Sequence, residues 1–434
     1  MAHYKMINQV KDYAWGSPDL LAQIQGRVPE GRPEAEMWMG SHPNGPSQVV
    51  TPRGETVSLA DLLAGSPDML GQRALALQAP GEDVPGLPFL LKILTAGKGL
   101  SIQAHPDREQ AREGYAREDA RDIARDAPRR TYRDQNHKPE LVCALTEFWG
   151  LCGFRPLEEL QREFQGLAPA LARLDHPLLG PALRSFLEKP REETWQALFL
   201  AILDCGVDRS FREDLVRTLG SCLEGSSGDG PSSRDRYWWV GELLDQYPGD
   251  PGAFAPLYLN LFHLQPGEAV FLGPRILHAY LRGAGVEIMA NSDNVLRSGC
   301  TGKHVDSQEL ARILSFESFV PRPSRGKDEQ GLRAYTTPAR EFELVRVLRQ
   351  GRLEKREGPA ILLATAGQVR CGDLLLESGE SAFVDDATDV IELSGPGVAS
   401  TYVAALPGAI SFVPAVLPAG ADRPDAGAAC DGAS

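Results

Sequence analysis

LYLNLFHLQPGEAVFLGPRILHAYL, residues 257–281, contains several strand-length apolar runs. Pro266-Gly267 and Gly273-Pro274 separate these runs, as is typical of turns between strands. Similar segments follow at FELVRVL (342–348), AILLATAG (360–367) and VASTYVAAL (398–406). Strand after strand with glycine-bearing turns predicts a β-sandwich or jelly roll.

Changes in hydrophobic period divide the rest of the chain. The first hundred residues mix short apolar runs with Gly and Pro, which predicts mostly β structure. Residues 107–130 are crowded with charge and predict a solvated helix or mobile loop. Between Pro156 and Pro248, helical spacing predicts an inserted helical domain. Composition predicts a flexible loop at 225–233 and a disordered tail at 414–434.

An internal echo indicates that the chain has two related β halves. QPGEAVFL, residues 265–272, is similar to ESGESAFV, residues 377–384. Self-similarity of this kind is typical of duplicated structural units, although two short matches carry limited weight. We therefore predict a mainly β protein with a helical insertion and a second, C-terminal β-sandwich.

Composition limits the classes of partner. The formal net charge of -14 argues against nucleic acid or an anionic membrane, and no apolar segment is long enough to span a bilayer. The 7 cysteines form no CxxC pair, which predicts free thiols in the cytoplasm. An anionic substrate would need a locally basic pocket, since distant charges are screened beyond about 8 Å.

Potential metal-binding groups recur on strand-like segments. In SIQAH, residues 101–105, alternate side chains share one face, and HAY, residues 278–280, repeats the arrangement. The candidate ligands are Gln103, His105, Glu140 and His278. Two nitrogen and two oxygen donors suit zinc with open positions, whereas the residue types leave manganese and cobalt open. A single strand histidine is more often structural than a ligand.

Two longer motifs resemble a known family. YRDQNHKPE, residues 132–140, resembles the first signature of the type I mannose-6-phosphate isomerases and matches it at every fixed position. HAYLRGAGVEIMANSDNVLRSGCTGK, residues 278–303, is similar to the second signature, apart from Ser298 and Gly302, where alanine and proline are usual. EMWMGSHPNGPS, residues 36–47, also looks like a family block. The resemblance extends over most of residues 1–320.

The resemblance implies a cupin-like jelly-roll catalytic core. With the changes in period it implies a catalytic domain at 1–154 plus 252–325, a helical insertion at 155–251 and a C-terminal β-sandwich at 326–413. It also implies one Zn²⁺ per chain on the ligands named above. A monomer is expected, with a homodimer as the alternative.

The implied reaction interconverts D-mannose 6-phosphate and D-fructose 6-phosphate by proton transfer between C1 and C2 through a cis-enediol. The resemblance places Arg297 at the catalytic arginine, and an always-charged guanidinium suits an enediolate stabiliser. Lys138 and a water molecule on the metal are the leading proton carriers. The resemblance places Ser101, Lys92 and Lys303 at the phosphate end of the substrate. The other residues expected to contact substrate, which are also further candidates for the proton carrier, are Tyr280, Glu287, Asp293 and His137.

Two other classes of function are consistent with parts of the sequence. A non-catalytic carbohydrate-binding cupin would keep the fold, but it would not require Arg297 and Lys138 beside the ligands. A bifunctional enzyme that also activates the sugar with a nucleotide would need a glycine-rich phosphate-binding loop, and the sequence contains no GxxxxGK[ST] motif.

Overall fold

The computed structural model describes residues 3–78, 84–174, 176–205, 209–223 and 235–415. Its strands are β1 His3–Ile7, β2 Gln9–Lys11, β3 Glu36–Met39, β4 Gln48–Val50, β5 Thr56–Ser58, β6 Phe89–Ala96, β7 Ile102–Ala104, β8 Glu140–Ala144, β9 Phe148–Phe154, β10 Leu259–Leu264, β11 Ala269–Leu272, β12 His278–Ala290, β13 Leu296–Gly299, β14 Lys327–Glu329, β15 Leu332–Tyr335, β16 Glu343–Val347, β17 Gly351–Lys355, β18 Ala360–Ala364, β19 Val369–Cys371, β20 Leu374–Leu376, β21 Ser381–Val384, β22 Val390–Ser394, β23 Thr401–Ala405 and β24 Ile410–Pro414. Its α-helices are α1 Leu20–Ile24, α2 Leu59–Gly65, α3 Gly71–Leu75, α4 Arg108–Asp119, α5 Leu157–Leu171, α6 Leu179–Glu188, α7 Glu192–Cys205, α8 Arg209–Leu223, α9 Arg236–Gln246, α10 Ala255–Tyr258 and α11 Ser307–Ile313.

The strands form antiparallel sheets, which confirms the mainly β fold with helical parts. A 10-stranded sheet contains the path β10-β9-β12-β6-β3-β2, with β7, β8, β11 and β13 joined to it. A 9-stranded sheet has the order β14-β15-β16-β23-β18-β21-β1-β4-β5, and a 5-stranded sheet has the order β20-β19-β22-β17-β24. Among the described residues, no helix is both long and apolar enough to cross a membrane.

Strand β12 links two groups of strands within the 10-stranded sheet. Its first half pairs with β9 and β7, and its second half, from Gly283 onward, pairs with β6 and β8. Gly283 has a φ of 120°, and a Cβ atom there would lie 2.4 Å from the Glu147 carbonyl oxygen. Only glycine fits this bend. The bend lets one strand pair with β9 and β7 before Gly283 and with β6 and β8 from Gly283 onward.

Most sequence-based elements lie where expected, with local exceptions. The first hundred residues also contain the short helices α1, α2 and α3 between their strands. Leu257 and Tyr258 belong to α10, so the predicted strand begins two residues later. The charged segment is helical over Arg108–Asp119, with Tyr115 buried. The predicted loop at 225–233 lies outside the described residues. The predicted tail at 414–434 begins too early, because Pro414 is the last residue of β24, and the tail from 416 onward lies outside the described residues.

The sequence echo corresponds to two equivalent turns, each followed by a strand. Gly267 and Gly379 have φ values of 84° and 81°, and both precede a strand. The Gly267 amide donates to the Ala144 carbonyl at 2.8 Å, and the Gly379 amide donates to the Ala364 carbonyl at 2.7 Å. Thus β8 pairs with β11 as β18 pairs with β21. The same type of glycine turn therefore precedes β11 and β21.

The sheets connect the ends of the chain. Strand β1 pairs with β21, and β4 and β5 extend the same sheet. Three strands from the segment that we assigned to the catalytic domain therefore belong to the C-terminal sheet by hydrogen bonding. The proposed boundaries at 154, 251 and 325 remain a prediction about domains.

The helical insertion shares one apolar core with strands of the 10-stranded sheet, including β7, β9 and β12. TWQALFLAIL lies in α7, and its Trp195, Leu198 and Phe199 have no exposed surface. Trp195 contacts Phe154 of β9 edge to face, with ring centroids 5.5 Å apart. The helical insertion is therefore anchored to the strand that neighbours β12.

A glycine in α4 fixes the start of the first signature. A Cβ atom at Gly114 would lie 2.3 Å from the ring of buried Tyr132. We expect Gly114→Ala to destabilise the protein by about 1–3 kcal/mol through overpacking. Gly166→Ala is the matched control, because nothing lies within 4 Å of its added methyl group. In that helix, alanine should stabilise by about 0.5–1 kcal/mol. Urea denaturation measures the change in unfolding free energy of both variants. We expect a decrease for Gly114→Ala and an increase for Gly166→Ala, and changes of the same sign would contradict this account.

Candidate active site

Three buried side chains converge at the start of β8, β12 and the segment after β7. His105, Glu140 and His278 each have about 1% of their surface exposed. Glu140 Oε1 lies 3.4 Å from His105 Nε2, and Glu140 Oε2 lies 3.2 Å from His278 Nε2. One ligand atom from each residue lies within 4.8 Å of the others. This is the spacing of a group that can hold one metal ion.

Strand register adds two more predicted site residues. Gln103 of β7 lies opposite His278 of β12 on one side and opposite Arg297 of β13 on the other. Directly opposed residues in antiparallel strands project to the same face. The register therefore brings together side chains that are up to 194 positions apart in sequence (297 − 103).

Hydrogen bonds orient both imidazoles toward the same point. His105 Nδ1 lies 2.7 Å from the Asn294 carbonyl oxygen, and His278 Nδ1 lies 2.9 Å from the Ile276 carbonyl oxygen. A carbonyl only accepts, so both Nδ1 atoms carry the proton and both Nε2 atoms keep a free lone pair. Both Nε2 atoms and Glu140 Oε2 are buried without a hydrogen-bond partner. A divalent cation would satisfy all three.

Lys138 determines the charge of this group. Its Nζ donates a hydrogen bond to Glu140 Oε1. Burial opposes ionisation of Glu140, but Lys138 and His105 hold its pKa well below the usual range. Burial, with Lys138, lowers the pKa of His105 to about 4. The site therefore holds an ionised carboxylate and a neutral His105, which is the state that binds a metal.

The lowered His105 pKa predicts a pH dependence of the metal-free protein. The unfolded chain takes up this proton below a pH of about 6.5, whereas the folded chain does so only near 4. The unfolding free energy should therefore fall as pH falls from 6.5 toward 4, because the unfolded state binds more protons there. Glu140 contributes in the same direction only below 4.5.

Urea denaturation with a chelator at several pH values tests this. His105→Gln is the comparison, since it should flatten the slope between pH 4 and 6.5 whatever its own stability. Equal slopes in the two proteins would contradict the prediction.

A second buried network surrounds Lys92. Its Nζ lies 3.2 Å from Glu36 Oε1 and 3.0 Å from Glu287 Oε2, and Tyr280 donates to Glu287 Oε1 at 2.8 Å. Burial would lower the pKa of Lys92, but Glu287 and Glu36 raise it. Burial and Glu287 also hold the pKa of Tyr280 well above its usual range. A phosphate at Lys92 would have to compete with these two carboxylates.

Three cations near the site lack a carboxylate partner. Within the described part of the chain, no ion pair involves Arg133, Arg297 or Lys303. Burial and then Arg133 lower the pKa of Arg297, and burial and then Arg297 and Arg133 lower the pKa of Lys303. Glu36 opposes this mutual repulsion at Lys303 but does not outweigh it, so the three cations together favour a bound anion. Ser101 lies nearby, with its hydroxyl 3.4 Å from Gln103 Oε1.

The two signatures are joined by Asn294, which is completely buried. Its side-chain oxygen accepts from the Arg133 amide at 2.7 Å, and its side-chain nitrogen donates to the carbonyls of Asp134 and Asn136 at 2.9 and 2.8 Å. Its own carbonyl binds His105. One residue of the second signature thus holds the first signature beside a predicted ligand.

Asp293 and His137 lie toward the edges of this arrangement. Asp293 accepts from Asn44 at 2.6 Å and lies 3.4 Å from His42. Burial opposes its charge, but His42 and Lys138 lower its pKa. His137 contacts Glu341, with 2.9 Å between Nε2 and Oε1. Its imidazole makes no contact with the metal-binding group among the described residues.

Sequence reasoning did not single out four residues that the structure places at the site. Arg133 and Asn294 stand within the signatures, so their positions in the motifs were a usable signal. Glu36 stands in the block at 36–47, beside a tryptophan that donates to it at 2.8 Å. Glu341 comes from the C-terminal part of the chain and carried no signal.

The chain is similar to proteins of one family. Residues 3–157 match the family model described as phosphomannose isomerase type I, catalytic domain. Mannose-6-phosphate isomerase of Salmonella typhimurium is 36% identical over 91% of this chain and 97% of its own length. The Homo sapiens mannose-6-phosphate isomerase is 34% identical over 78% of this chain and 80% of its own.

Solved structures agree with these similarities. A crystal structure of zinc-bound mannose 6-phosphate isomerase is 33% identical, covers 94% of this chain and 99% of its own, and has a TM-score of 0.80. A variant of the phosphomannose isomerase from Salmonella typhimurium has a TM-score of 0.82 at the same identity and coverage. Similarity of sequence and fold over nearly the whole length shows that the chain belongs to the type I mannose-6-phosphate isomerase family.

Proposed function

We propose that this protein is a metal-dependent aldose-ketose isomerase that interconverts D-mannose 6-phosphate and D-fructose 6-phosphate. The observation that carries the proposal is the buried His105, Glu140 and His278 group with its unpartnered ligand atoms. Arg297 lies one strand away from this group, across Gln103. Family membership supplies the substrate and the reaction.

The donor set fits zinc. Two imidazole nitrogens and a carboxylate oxygen are usual for a catalytic zinc with open coordination positions. Gln103 is the proposed fourth ligand, because its Cα is paired with that of His278. Bound zinc would polarise the carbonyl oxygen of the open-chain sugar as a Lewis acid. The carbonyl contacts at both Nδ1 atoms would hold the imidazoles in the required tautomer.

Side chains of the protein supply the other catalytic roles. Arg297 stabilises the negative charge that develops on the enediolate, since a guanidinium donates several hydrogen bonds and does not deprotonate at neutral pH. Lys138 is the proposed proton carrier between C1 and C2, because it lies beside the metal ligand Glu140. A cation bound by Glu140 would replace the ammonium as its counter-charge, and the neutral amine of Lys138 would then accept the proton from one carbon and return it to the other. Tyr280 acts only as a donor, because its raised pKa keeps the phenol protonated.

Lys303 and Ser101 hold the phosphate end of the substrate, together with Arg133. Lys303 and Arg133 are exposed and lack carboxylate partners in the described structure, so neither has to break an ion pair to bind an anion. Lys92 and Glu287 instead form the buried base of the pocket with Glu36. His137 and Asp293 support the segments that carry Lys138 and Arg297.

A coupled assay for isomerisation tests the proposal before and after chelation, with zinc added back. We expect activity that is lost with the metal and restored with it. Undetectable turnover by the fully loaded protein would contradict the isomerase function. Full activity after complete metal removal would contradict only the metal-dependent mechanism.

Arg133→Gln tests the phosphate assignment. Loss of a charged hydrogen bond to the phosphate should raise KM for mannose 6-phosphate by about 10-fold, or roughly 1.5 kcal/mol, with kcat nearly unchanged. The Ki of inorganic phosphate should rise in parallel. Arg129→Gln is the matched control, because Arg129 is another exposed arginine of the same segment. An unchanged KM and Ki would remove Arg133 from the substrate site.

We also infer a cytoplasmic monomer, with a homodimer as the alternative that light scattering would detect. Buried free thiols at Cys143, Cys152, Cys300 and Cys371 support a reducing compartment.

A further inference from the structure

We propose that Glu341, from the C-terminal β region, is a positioning residue that holds the active-site segment 137–140 in place. The inference rests on the proposed function. It gives the C-terminal β region a role in catalysis, because the side chain that holds the active-site segment comes from this region and not from the cupin-like core.

Glu341 lies in the loop between β15 and β16 and is only 4% exposed. Its Oε1 atom lies 2.9 Å from His137 Nε2 and accepts a hydrogen bond from Arg108 Nη2 at 2.5 Å. Its Oε2 atom accepts from the Arg340 amide at 3.1 Å. Both carboxylate oxygens are therefore committed, and the carboxylate orientation is fixed.

Two partners face His137 Nε2. Glu341 Oε1 accepts from this nitrogen when it carries a proton, and Arg108 Nη2, at 3.2 Å, donates to it in the other tautomer, so both tautomers are held at this point. Arg108 begins α4, the helix whose Gly114 packs against Tyr132 of the first signature. Glu341 thus ties the C-terminal region to α4 and to the signature at one point.

The chain geometry transmits this contact to the catalytic side. Lys138 precedes a proline, which restricts it to an extended conformation. In an extended segment, alternate side chains point to opposite sides. Lys138 accordingly reaches Glu140 two positions on, while His137 reaches Glu341 on the other side. Glu341 therefore holds one side of an extended segment. The other side of that segment carries the proposed proton carrier, Lys138, and the metal ligand Glu140.

A double-mutant cycle on the zinc-loaded enzyme tests the proposal. Glu341→Ala should lower kcat by roughly 10- to 100-fold, as for residues that orient a site, with a smaller change in KM. In a His137→Ala background, the same change should lower kcat by less than about 3-fold, because the two residues act as one unit. Zinc content should stay near one per chain, which separates this role from loss of the metal.

Glu343→Ala is the matched control, because it removes a carboxylate two positions away whose hydrogen-bond partner is the Gly408 amide, at 2.9 Å. Its kcat should stay within about 2-fold of the parent, as expected for a surface substitution. If Glu341→Ala fails to fold, Glu341→Gln takes its place, since the amide oxygen still accepts while the charge is lost.

Two results would overturn the positioning role while the parent enzyme remains active. One is an unchanged kcat in a Glu341 variant whose thermal stability alone has fallen. The other is a double variant in which Glu341→Ala and His137→Ala lower kcat by factors that multiply, as expected for residues that act independently. An inactive parent enzyme would instead contradict the proposed function.

Discussion

Glu140→Gln is expected to abolish stoichiometric zinc binding and to lower kcat/KM by more than the roughly 100-fold seen when a ligand-orienting residue is lost. Glu140 is the anionic member of the buried group, and its ionised state is maintained by Lys138 and His105. The amide has nearly the same shape but neutralises the site. It also leaves the Lys138 ammonium buried without its counter-ion, which is costly.

Zinc content after dialysis and the coupled isomerase assay measure this effect. Glu147→Gln is the control, because its side chain is 66% exposed and lies 3.7 Å from His263, away from the metal-binding group. That variant should keep one zinc per chain and full activity. A Glu140→Gln protein that retains both would refute the proposed metal site.

Arg297→Ala is expected to lower kcat by about 10²- to 10³-fold while zinc content stays unchanged. The guanidinium is partly buried, and the described residues offer it no carboxylate partner, so its charge is available to the substrate. A group that stabilises only the transition state affects kcat more than KM. Arg297→Lys should recover part of the loss, since it keeps the charge but not the bidentate geometry.

Arg282→Ala provides the comparison for Arg297. Arg282 lies on β12 but pairs with Glu242 of the helical insertion at 2.9 Å, so its removal should leave kcat nearly unchanged. Steady-state kinetics at saturating mannose 6-phosphate separates kcat from KM in both variants. An Arg297→Ala enzyme with the parent kcat would remove this residue from the chemistry.

Local patterns in the sequence were sufficient for the fold class. Alternating apolar runs and glycine turns predicted the strands from Leu259 onward, and helical spacing predicted α7 and α8, because these signals depend on neighbours within a few positions. The echo between 265–272 and 377–384 was also readable, since the same Pro-Gly or Ser-Gly turn precedes each strand. The signatures contain Glu140, His278 and Arg297, and the segment 101–105 contains Gln103 and His105.

Sequence alone could not establish that these residues meet. Gln103, His278 and Arg297 become neighbours only through the pairing of β7 with β12 and β13, and register over such separations depends on the packing of the whole sandwich. The same holds for β1, which the sequence assigned with the catalytic core and which pairs with β21.

The sequence by itself determined most of the secondary structure, the family signatures and the kinds of chemical group available, because each of these depends on residues that are close together in the chain. Tertiary structure alone decided which atoms remain unpaired. The free Nε2 atoms, the Lys92 ammonium held between two carboxylates and the contact from Glu341 to His137 depend on burial and on partners distant in the chain. Those contacts determine the charges and positions of the catalytic groups.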